Sequence, residues 1–223
     1  MILVGLAIFA FFLGSIPFGM LLARANGVDI RAVGSGNIGA TNVVRALGPK
    51  VGLAVFVLDV LKGVIPAVAT KHLVHAPFGE IQIQTLSMIM GVIAILGHMF
   101  SPFIGFKGGK GVATGFGAAL GAITGAALVA FAVIILTVVI TRYVSLGSIL
   151  SAISVPIASM LVFHDSPQLL PILVVMVVFI VWKHRSNIER LRNGTESKFS
   201  FKKQIPDREE SATEEADRND SSR

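Results

Sequence analysis

The sequence predicts an all-α integral membrane protein with about seven transmembrane helices. Of its residues, 53% are hydrophobic and only 14% are charged. The charges are also segregated, because five long stretches contain none: residues 1–23, 81–97, 111–141, 143–163 and 166–182. A hydrocarbon core about 30 Å thick is crossed by roughly 20 apolar helical residues. These stretches therefore have the length of membrane spans.

The first apolar stretch is interpreted as a retained span rather than a signal peptide. It has no basic residue before Arg24 and no clear small-residue cleavage site. A further apolar segment, residues 51–70, is interrupted by Asp59 and Lys62. These two residues lie one helical turn apart, so their side chains can pair within a helix and avoid an isolated charge in lipid.

The basic residues predict an N-terminus outside the membrane and a cytoplasmic C-terminus. Lys and Arg are concentrated in the cytoplasmic loops of membrane proteins. Placing all basic segments on that face leaves only Lys62 and Lys71 elsewhere. The basic segments are 24–50, 107–110, Arg142 and 183–192.

This arrangement requires an even number of crossings between Lys110 and Arg142. As one helix, residues 111–141 would be about 46 Å long, which exceeds one span and falls short of two full ones. The glycines of this stretch favour two short helices that meet near residues 121–125. Seven crossings result, whereas six would leave Arg142 or the basic C-terminal segment outside.

The amino-acid composition excludes several kinds of site and partner. The chain contains no Cys, which excludes disulfides, Cys-based metal sites and a thiol acyl-enzyme, and we expect no cofactor or metal. The basic loops explain the net charge of +6, so no nucleic acid partner is predicted. Residues 1–197 are predicted to form one transmembrane domain. Residues 198–223 are polar and rich in mixed charge, as in a disordered cytoplasmic tail.

Three polar segments contain the candidate functional residues, and the first runs from Gly34 to Arg45. Its glycines let the backbone direct several N–H groups into one concavity. A helix starting near Ala40 would point its N-terminus at the same anion, with Arg45 just over one turn inside. Neutral donors come from Ser35, Asn37, Thr41 and Asn42. The alternative is a flexible loop whose Ser and Asn side chains only cap a helix.

The second segment contains His98 and a Gly-Gly-Lys-Gly sequence at 108–111 that can offer N–H groups and an ammonium to phosphate. It is not a Walker A loop, because the G-x-x-x-x-G-K-[ST] pattern is absent. His98 either contacts substrate or packs and caps a helix. Three aromatic residues at three-residue spacing line an acyl-chain groove or form an interfacial aromatic belt: Phe100, Phe103 and Phe106.

The third segment follows the last apolar span and contains His184 and Asn187. On a helix these two residues share one face with Leu191. A basic cluster beside a span is usually only a positive-inside anchor, but an anchor has no need of the His-x-x-Asn pair. By the predicted topology all three segments lie on the cytoplasmic face, which indicates a small phosphate-bearing substrate at the interface.

These segments resemble the bacterial acyl-phosphate:glycerol-3-phosphate acyltransferases, the PlsY family. The matching motifs are GSGNIGATNVVR at 34–45, GHMFSPFIGFKGGKG at 97–111 and KHRSNIERLRNGTE at 183–196, with GSIPFG at 14–19. The likeness covers residues 1 to about 200. It implies a seven-helix enzyme of the bacterial inner membrane that makes lysophosphatidic acid, the first acylation of phospholipid synthesis.

The resemblance also implies roles for individual residues. The catalytic set is Ser35, Arg45, Lys110, His184 and Asn187. The substrate- or phosphate-binding set is Gly36, Asn37, Gly39, Thr41, Asn42, His98, Gly108, Gly109 and Ser148, with Ser145 as the competitor of Ser148. The implied partners are glycerol 3-phosphate, acyl phosphate and membrane lipid, and the enzyme is expected to act near one that forms acyl phosphate.

The predicted mechanism is direct attack of the glycerol 1-hydroxyl on the acyl carbonyl of an acyl phosphate, which is already activated. Positioning and charge neutralisation then suffice without a covalent nucleophile. The general base is either His184 or a substrate phosphate oxygen. A transporter for an organophosphate anion is the rival from another class, but its site would lie near the midplane rather than at the cytoplasmic boundary.

Overall fold

The computed structural model describes residues 1–74 and 80–200, which form ten α-helices. Two 3₁₀ turns, Pro102–Ile104 and Pro167–Leu169, precede the sixth and ninth of them. In chain order the helices are α1 (Ile2–Ser15), α2 (Phe18–Ala25), α3 (Ala40–Leu47), α4 (Pro49–Leu73), α5 (Glu80–Met99), α6 (Val112–Ala122), α7 (Thr124–Thr141), α8 (Val144–Leu161), α9 (Leu170–Lys183) and α10 (Arg185–Arg192). Most of the predicted polar tail, residues 201–223, lies outside the described residues.

Within the described part of the chain, five segments are long and apolar enough to cross a membrane. They are Ile2–Ala25, which combines α1 and α2, then α4, Ile83–Ile104, α7 and α8. A sixth forms if α9 is taken together with α10, from which it bends by 58°. Helix α6 has 11 residues, too few to cross a core of about 30 Å alone. The multi-pass, all-α prediction is confirmed, whereas seven crossings stay a prediction.

The break inside residues 111–141 lies where the glycines predicted it. Helix α6 ends at Ala122 and α7 begins at Thr124. The prediction of two short helices fits α6 alone, because α7 has 18 residues. No glycine interrupts α7 after Gly125, and the helix continues until Arg142 adopts a left-handed conformation with φ 61°. Only Ala126, Ala127 and Ala130 of this apolar helix are buried, as expected for a helix facing lipid.

Helices α4 and α6 cross at glycines. A Cβ atom added to Gly63 would lie 2.1 Å from the Thr114 carbonyl oxygen, and one added to Gly117 would lie 2.0 Å from the Val60 carbonyl oxygen. Small residues allow such close approach between membrane helices. This contact fixes the N-terminal end of α6 beside α4, where the candidate site is built.

The predicted pairing of Asp59 with Lys62 is confirmed. Lys62 Nζ lies 2.7 Å from Asp59 Oδ1, and both residues are almost fully buried. The ammonium also donates to the carbonyl oxygens of Gly14, at 3.3 Å, and Ile16, at 2.7 Å. Pro17 separates α1 from α2, because proline restricts the residue before it and lacks an N–H. Lys62 thus donates to carbonyl groups in the last turn of α1 and in the break before α2.

Hydrogen bonds between distant parts of the chain hold the polar segments together at one end of the helix bundle. Arg31 donates to the carbonyl of Lys107 at 3.2 Å, which joins the chain just before the first segment to the second segment. Arg45 donates to the carbonyl of Ser197 at 3.2 Å, and the Phe199 N–H donates to the carbonyl of Arg142 at 2.7 Å. Residues that follow the last helix therefore fold back over this end of the bundle.

Candidate active site

The three polar segments enclose a cavity of about 420 Å³, called the polar cavity below. The loop before α3, helices α3 to α8 and the region around α10 supply its wall. Eleven of the predicted site residues lie on it: Ser35, Asn37, Gly39, Thr41, Asn42, Arg45, His98, Lys110, Ser148, His184 and Asn187. Residues that are far apart in the chain are thus brought to one site.

Asn42 organises the glycine-rich loop from within. Its Oδ1 accepts a hydrogen bond from the Ser35 N–H at 3.0 Å, and its Nδ2 donates to the carbonyls of Ile30 and Val33. Gly34 has a φ of +56°, and a Cβ there would lie 2.4 Å from Asn42 Oδ1. The buried amide is therefore occupied by loop contacts, and it shapes the site by holding Ser35 at the cavity wall.

Two helix N-termini meet at the polar cavity. Helix α3 begins at Ala40, the start considered in the sequence analysis, and α6 begins at Val112 after a left-handed Gly111. First-turn residues of both helices lie on the cavity wall. The first N–H groups of a helix have no partner within it, so they favour an anion. Arg45 from α3 and Lys110 from the loop before α6 add positive charge.

A chain of polar contacts links Lys110 to the C-terminal segment. Lys110 Nζ donates to Asn187 Oδ1, and Asn187 Nδ2 donates to Glu196 Oε1 at 2.7 Å. The other carboxylate oxygen of Glu196 accepts from Arg190 Nε at 2.7 Å. Burial favours the neutral form of Glu196, but interactions with Ser145, Asn187 and Arg190 hold the pKa of this carboxyl below its usual value. Its charge orients Asn187 and, through it, Lys110.

The surroundings of Lys110 favour its uncharged form more than water does. Burial lowers the pKa of Lys110 to about 8, Glu196 acts in the opposite direction, and Arg190 and Arg45 lower it further. A bound phosphate would favour the charged ammonium. Lys110 is therefore adapted to bind an anion rather than to remain an isolated cation.

His184 lies between α9 and α10 and is almost fully buried. Its Nδ1 is 2.8 Å from the Ile180 carbonyl oxygen. A carbonyl oxygen only accepts hydrogen bonds, so Nδ1 carries the proton. In the neutral ring Nε2 is then unprotonated and able to accept a proton from a hydroxyl group.

His98, at the end of α5, is also buried and lies on the cavity wall. Its Nδ1 is 3.2 Å from Lys62 Nζ and 3.8 Å from Asp59 Oδ1. A Cβ added to Gly109 would lie 2.2 Å from His98 Nε2. The Gly-Gly-Lys-Gly loop therefore packs directly against this ring.

Three predicted glycines do not lie on the wall of the polar cavity, because their N–H groups bond elsewhere. Gly108 donates to the Met99 carbonyl at 3.1 Å and Gly109 to the His98 carbonyl at 3.2 Å. Gly36 donates to the Val33 carbonyl at 3.0 Å. The structure gives these glycines a different contribution, which is to let the loops turn and pack closely.

Several residues that line the polar cavity were not predicted to belong to the site. Asp59, Arg190 and Glu196 are among them, and Ser145 lies there beside Ser148, so both serines remain candidates. Glu196 closes the third motif and is the only acidic residue of the chain between Glu189 and Asp207. That isolation within a basic segment is the signal that could have identified it.

An apolar cavity of about 490 Å³ adjoins the polar one. The two share lining residues from α3, α4, α6, α7 and α8: Ala40, Thr41, Phe56, Val112, Ala113, Ile134 and Val144. Phe100, Phe103 and Phe106, considered for an acyl-chain groove, line neither cavity. Phe103 and Phe106 are exposed, and Phe100 packs against Phe179 and Trp182.

Comparison with known proteins gives a consistent answer. The family model for glycerol-3-phosphate acyltransferase matches residues 4–194. The chain belongs to this family. The Geobacter sulfurreducens glycerol-3-phosphate acyltransferase is 48% identical over 85% of this chain and 94% of its own length. The Brucella suis (strain ATCC 23445 / NCTC 10510) protein of the same name is 46% identical over 90% and 94%.

Solved structures of the family agree in fold. PlsY (YgiH), described as an integral membrane glycerol 3-phosphate acyltransferase, superposes in its glycerol 3-phosphate form with a TM-score of 0.82 and 44% identity. That match covers 90% of this chain and 96% of the PlsY chain. The lysophosphatidic acid form gives a TM-score of 0.80 at 42% identity. This acyltransferase therefore shares the PlsY membrane fold.

Proposed function

We propose that this acyltransferase transfers a fatty acyl group from acyl phosphate to the 1-hydroxyl of sn-glycerol 3-phosphate, giving lysophosphatidic acid and phosphate. One observation carries the proposal: a cavity lined by anion-binding groups adjoins an apolar cavity and shares its wall. A substrate with a phosphate at one end and an acyl chain at the other matches that pair of environments. The solved PlsY forms with glycerol 3-phosphate and lysophosphatidic acid support the acceptor and the product.

The polar cavity suits two phosphates rather than one. Arg45 and the N-terminus of α3 lie on one element, and Lys110 and the N-terminus of α6 lie on another. Each pair joins a side-chain cation to free backbone N–H groups, the combination that stabilises an oxyanion. We assign one pair to the phosphate of glycerol 3-phosphate and the other to the leaving phosphate. Ser35, Asn37 and Thr41 would add neutral donors.

The reaction needs little beyond positioning, because acyl phosphate is a mixed anhydride. The glycerol 1-hydroxyl oxygen forms a bond to the acyl carbonyl carbon, and the bond from that carbon to the phosphate oxygen breaks. The hydroxyl proton passes to His184 Nε2, which the hydrogen bond from Nδ1 to Ile180 leaves unprotonated. Inorganic phosphate departs with the electron pair of the broken bond. A substrate phosphate oxygen is the alternative proton acceptor.

We also propose seven crossings, with the polar cavity facing the cytoplasm of a bacterial cell and the N-terminus outside. Alternation of the apolar segments, with α6 counted, supports this topology, because it brings the basic connectors to one end. Soluble glycerol 3-phosphate would then enter from the cytoplasm, and the acyl donor would arrive through the bilayer. An enzyme that forms acyl phosphate would act nearby.

Phosphate release from purified protein tests the proposal. With palmitoyl phosphate as donor, release is expected to depend on added glycerol 3-phosphate and to match the lysophosphatidic acid formed. Lys110→Met is the matched negative control, because it keeps most of the length of the side chain and removes its charge. Phosphate release that does not depend on glycerol 3-phosphate, or equal turnover with palmitoyl-coenzyme A as the donor, would overturn the assignment.

A further inference from the structure

We infer that Lys62 is a positioning residue that fixes the neutral ring of His98 as its Nε2–H tautomer, so that His98 donates a hydrogen bond into the polar cavity. The inference rests on the proposed function only for the identity of the acceptor, a phosphate oxygen of substrate. It assigns a role to a buried lysine that lies on a membrane helix and does not itself line the cavity.

The position of the Lys62 ammonium is determined by three oxygen atoms. Lys62 Nζ lies 2.7 Å from Asp59 Oδ1, 2.7 Å from the Ile16 carbonyl and 3.3 Å from the Gly14 carbonyl. Two of these oxygens belong to the backbone at the break between α1 and α2. Lys62 is 1% exposed, so water does not compete for its protons. Of its three protons, two are donated to the carbonyl groups. The contact with Asp59 is an ion pair without a hydrogen bond, so the third proton is available to His98.

The contact with His98 follows from what each group can do. Lys62 Nζ is 3.2 Å from His98 Nδ1, and an ammonium donates hydrogen bonds without accepting them. Nδ1 must then be the acceptor. The competing arrangement, in which Nδ1 donates to Asp59, has a separation of 3.8 Å from Oδ1, which is beyond hydrogen-bond distance. The proton of the neutral ring therefore lies on Nε2.

His184 has the opposite arrangement. Its Nδ1 faces the Ile180 carbonyl oxygen and is protonated, which leaves Nε2 without a proton. The two histidines lie on the same cavity wall. His98 therefore presents a donor to the cavity and His184 an acceptor. The difference comes from the partner of each Nδ1, which is the Lys62 ammonium for His98 and the Ile180 carbonyl for His184. Lys62 therefore determines the tautomer of His98.

The ring of His98 also has little freedom to turn. It is 5% exposed, and the backbone of Gly109 packs so closely that an added Cβ would be 2.2 Å from Nε2. Lys110 follows immediately in the chain. The second motif thus places a neutral donor next to a cation, and both can bind one phosphate group without bringing two positive charges together.

Nitrogen NMR of protein labelled with ¹⁵N-histidine tests the tautomer directly. The His98 signals are assigned by their loss in His98→Gln, and His184 serves as the internal reference of opposite tautomer. We expect Nδ1 of His98 to be unprotonated and Nε2 protonated in the wild type at neutral pH. A protonated Nδ1, whether in the other tautomer or in a doubly protonated ring, would overturn the inference.

The role of Lys62 needs a variant that leaves no buried charge unpaired. Lys62→Met alone would isolate the Asp59 carboxylate, so the double variant Lys62→Met/Asp59→Leu is used. In that variant we expect the His98 signals to become those of mixed tautomers. Unchanged His98 signals would show that Lys62 does not set the tautomer. If this double variant does not fold, Lys62→Met/Asp59→Asn, which also leaves no unpaired charge and keeps a polar side chain beside the ring, is measured in its place with the same two outcomes.

Kinetics of two His98 variants test the donor. The amide nitrogen of Gln reaches the position of Nε2, whereas that of Asn reaches only the position of Nδ1. Loss of a hydrogen bond to a charged group corresponds to about 10- to 100-fold, so His98→Asn should lose that much kcat/KM. His98→Gln should retain most of it. Equal losses in the two variants would overturn the donor role of His98. If the wild-type protein released phosphate without any dependence on glycerol 3-phosphate, the proposed function would be overturned, whereas the spectra would still report the tautomer.

Discussion

At the scale of single residues, Lys110 connects the electrostatics of the site to an observable pH dependence. Its pKa is lowered by burial to about 8, so the free enzyme carries this charge below that pH and loses it above. The second pKa of a phosphate monoester is about 6, so above about pH 7 the acceptor is mostly a dianion. We expect kcat/KM for glycerol 3-phosphate to fall as the pH rises through about 8, because the uncharged amine binds the dianion weakly.

The matched variant for this prediction is Lys110→Arg. A guanidinium stays charged far above this range, so the alkaline fall should move to higher pH even if the absolute rate is lower. Initial rates at subsaturating glycerol 3-phosphate, measured from about pH 7 to about pH 10 so that the acceptor stays a dianion, give the comparison. An alkaline fall at the same pH in both proteins would assign it to another group.

The residues also show what sequence reasoning can find. Glycine, amide and cationic residues identified the first and third segments, because anion binding needs those groups in any fold. The tautomers of His98 and His184 were out of reach, since they depend on Lys62 Nζ and the Ile180 carbonyl. The contact of Lys62 with His98 arises from packing between helices, which the local sequence does not encode. The contact of His184 with Ile180 is local, but it depends on the side-chain rotamer that the surrounding helices impose.

At the scale of elements, the crossing of α4 and α6 supports the active site. Gly117 tolerates no side chain, because its Cβ would lie 2.0 Å from the Val60 carbonyl oxygen. Gly115, two residues earlier on the same helix, would meet its nearest atom at 3.4 Å. We expect Gly117→Ala to lower the free energy of unfolding by about 1–3 kcal/mol and Gly115→Ala to lower it far less.

Thermal unfolding in detergent micelles measures this difference, and the Gly115→Ala protein controls for the general effect of Ala on helix formation. Turnover should follow the same order, because the first turn of α6 lines both cavities. Equal midpoints for the two variants would mean that the helices can move apart at little cost.

Element boundaries were predictable where glycine or charge marks them. The start of α3 at Ala40 and the break at Ile123 follow from the sequence. The return of the C-terminal segment does not. Phe199, which the sequence assigned to the tail, donates its N–H to the Arg142 carbonyl and lines the apolar cavity. A polar segment beside a basic cluster has the composition of a tail whether or not it packs.

At the scale of the whole molecule, the protein separates its two kinds of surface along the bundle. Most basic residues lie at the end that contains the polar cavity, whereas the exposed residues along the helices are apolar. Basic loops of membrane proteins face the cytoplasm, so such a molecule has one favoured orientation in the membrane. The proposed function requires the cavity end to be cytoplasmic, because glycerol 3-phosphate is a charged solute that does not cross lipid unaided.

Helix α4 allows this orientation to be measured with one matched pair of variants. Lys50 and His72 are both exposed and lie near its opposite ends, and the chain has no Cys to give background. We expect a membrane-impermeant maleimide to label His72→Cys in spheroplasts and Lys50→Cys only in inverted vesicles. The reversed pattern would place the polar cavity outside the cytoplasm. Glycerol 3-phosphate would then have to be supplied from that side, and the proposed topology would be wrong even if the acyltransferase assignment held.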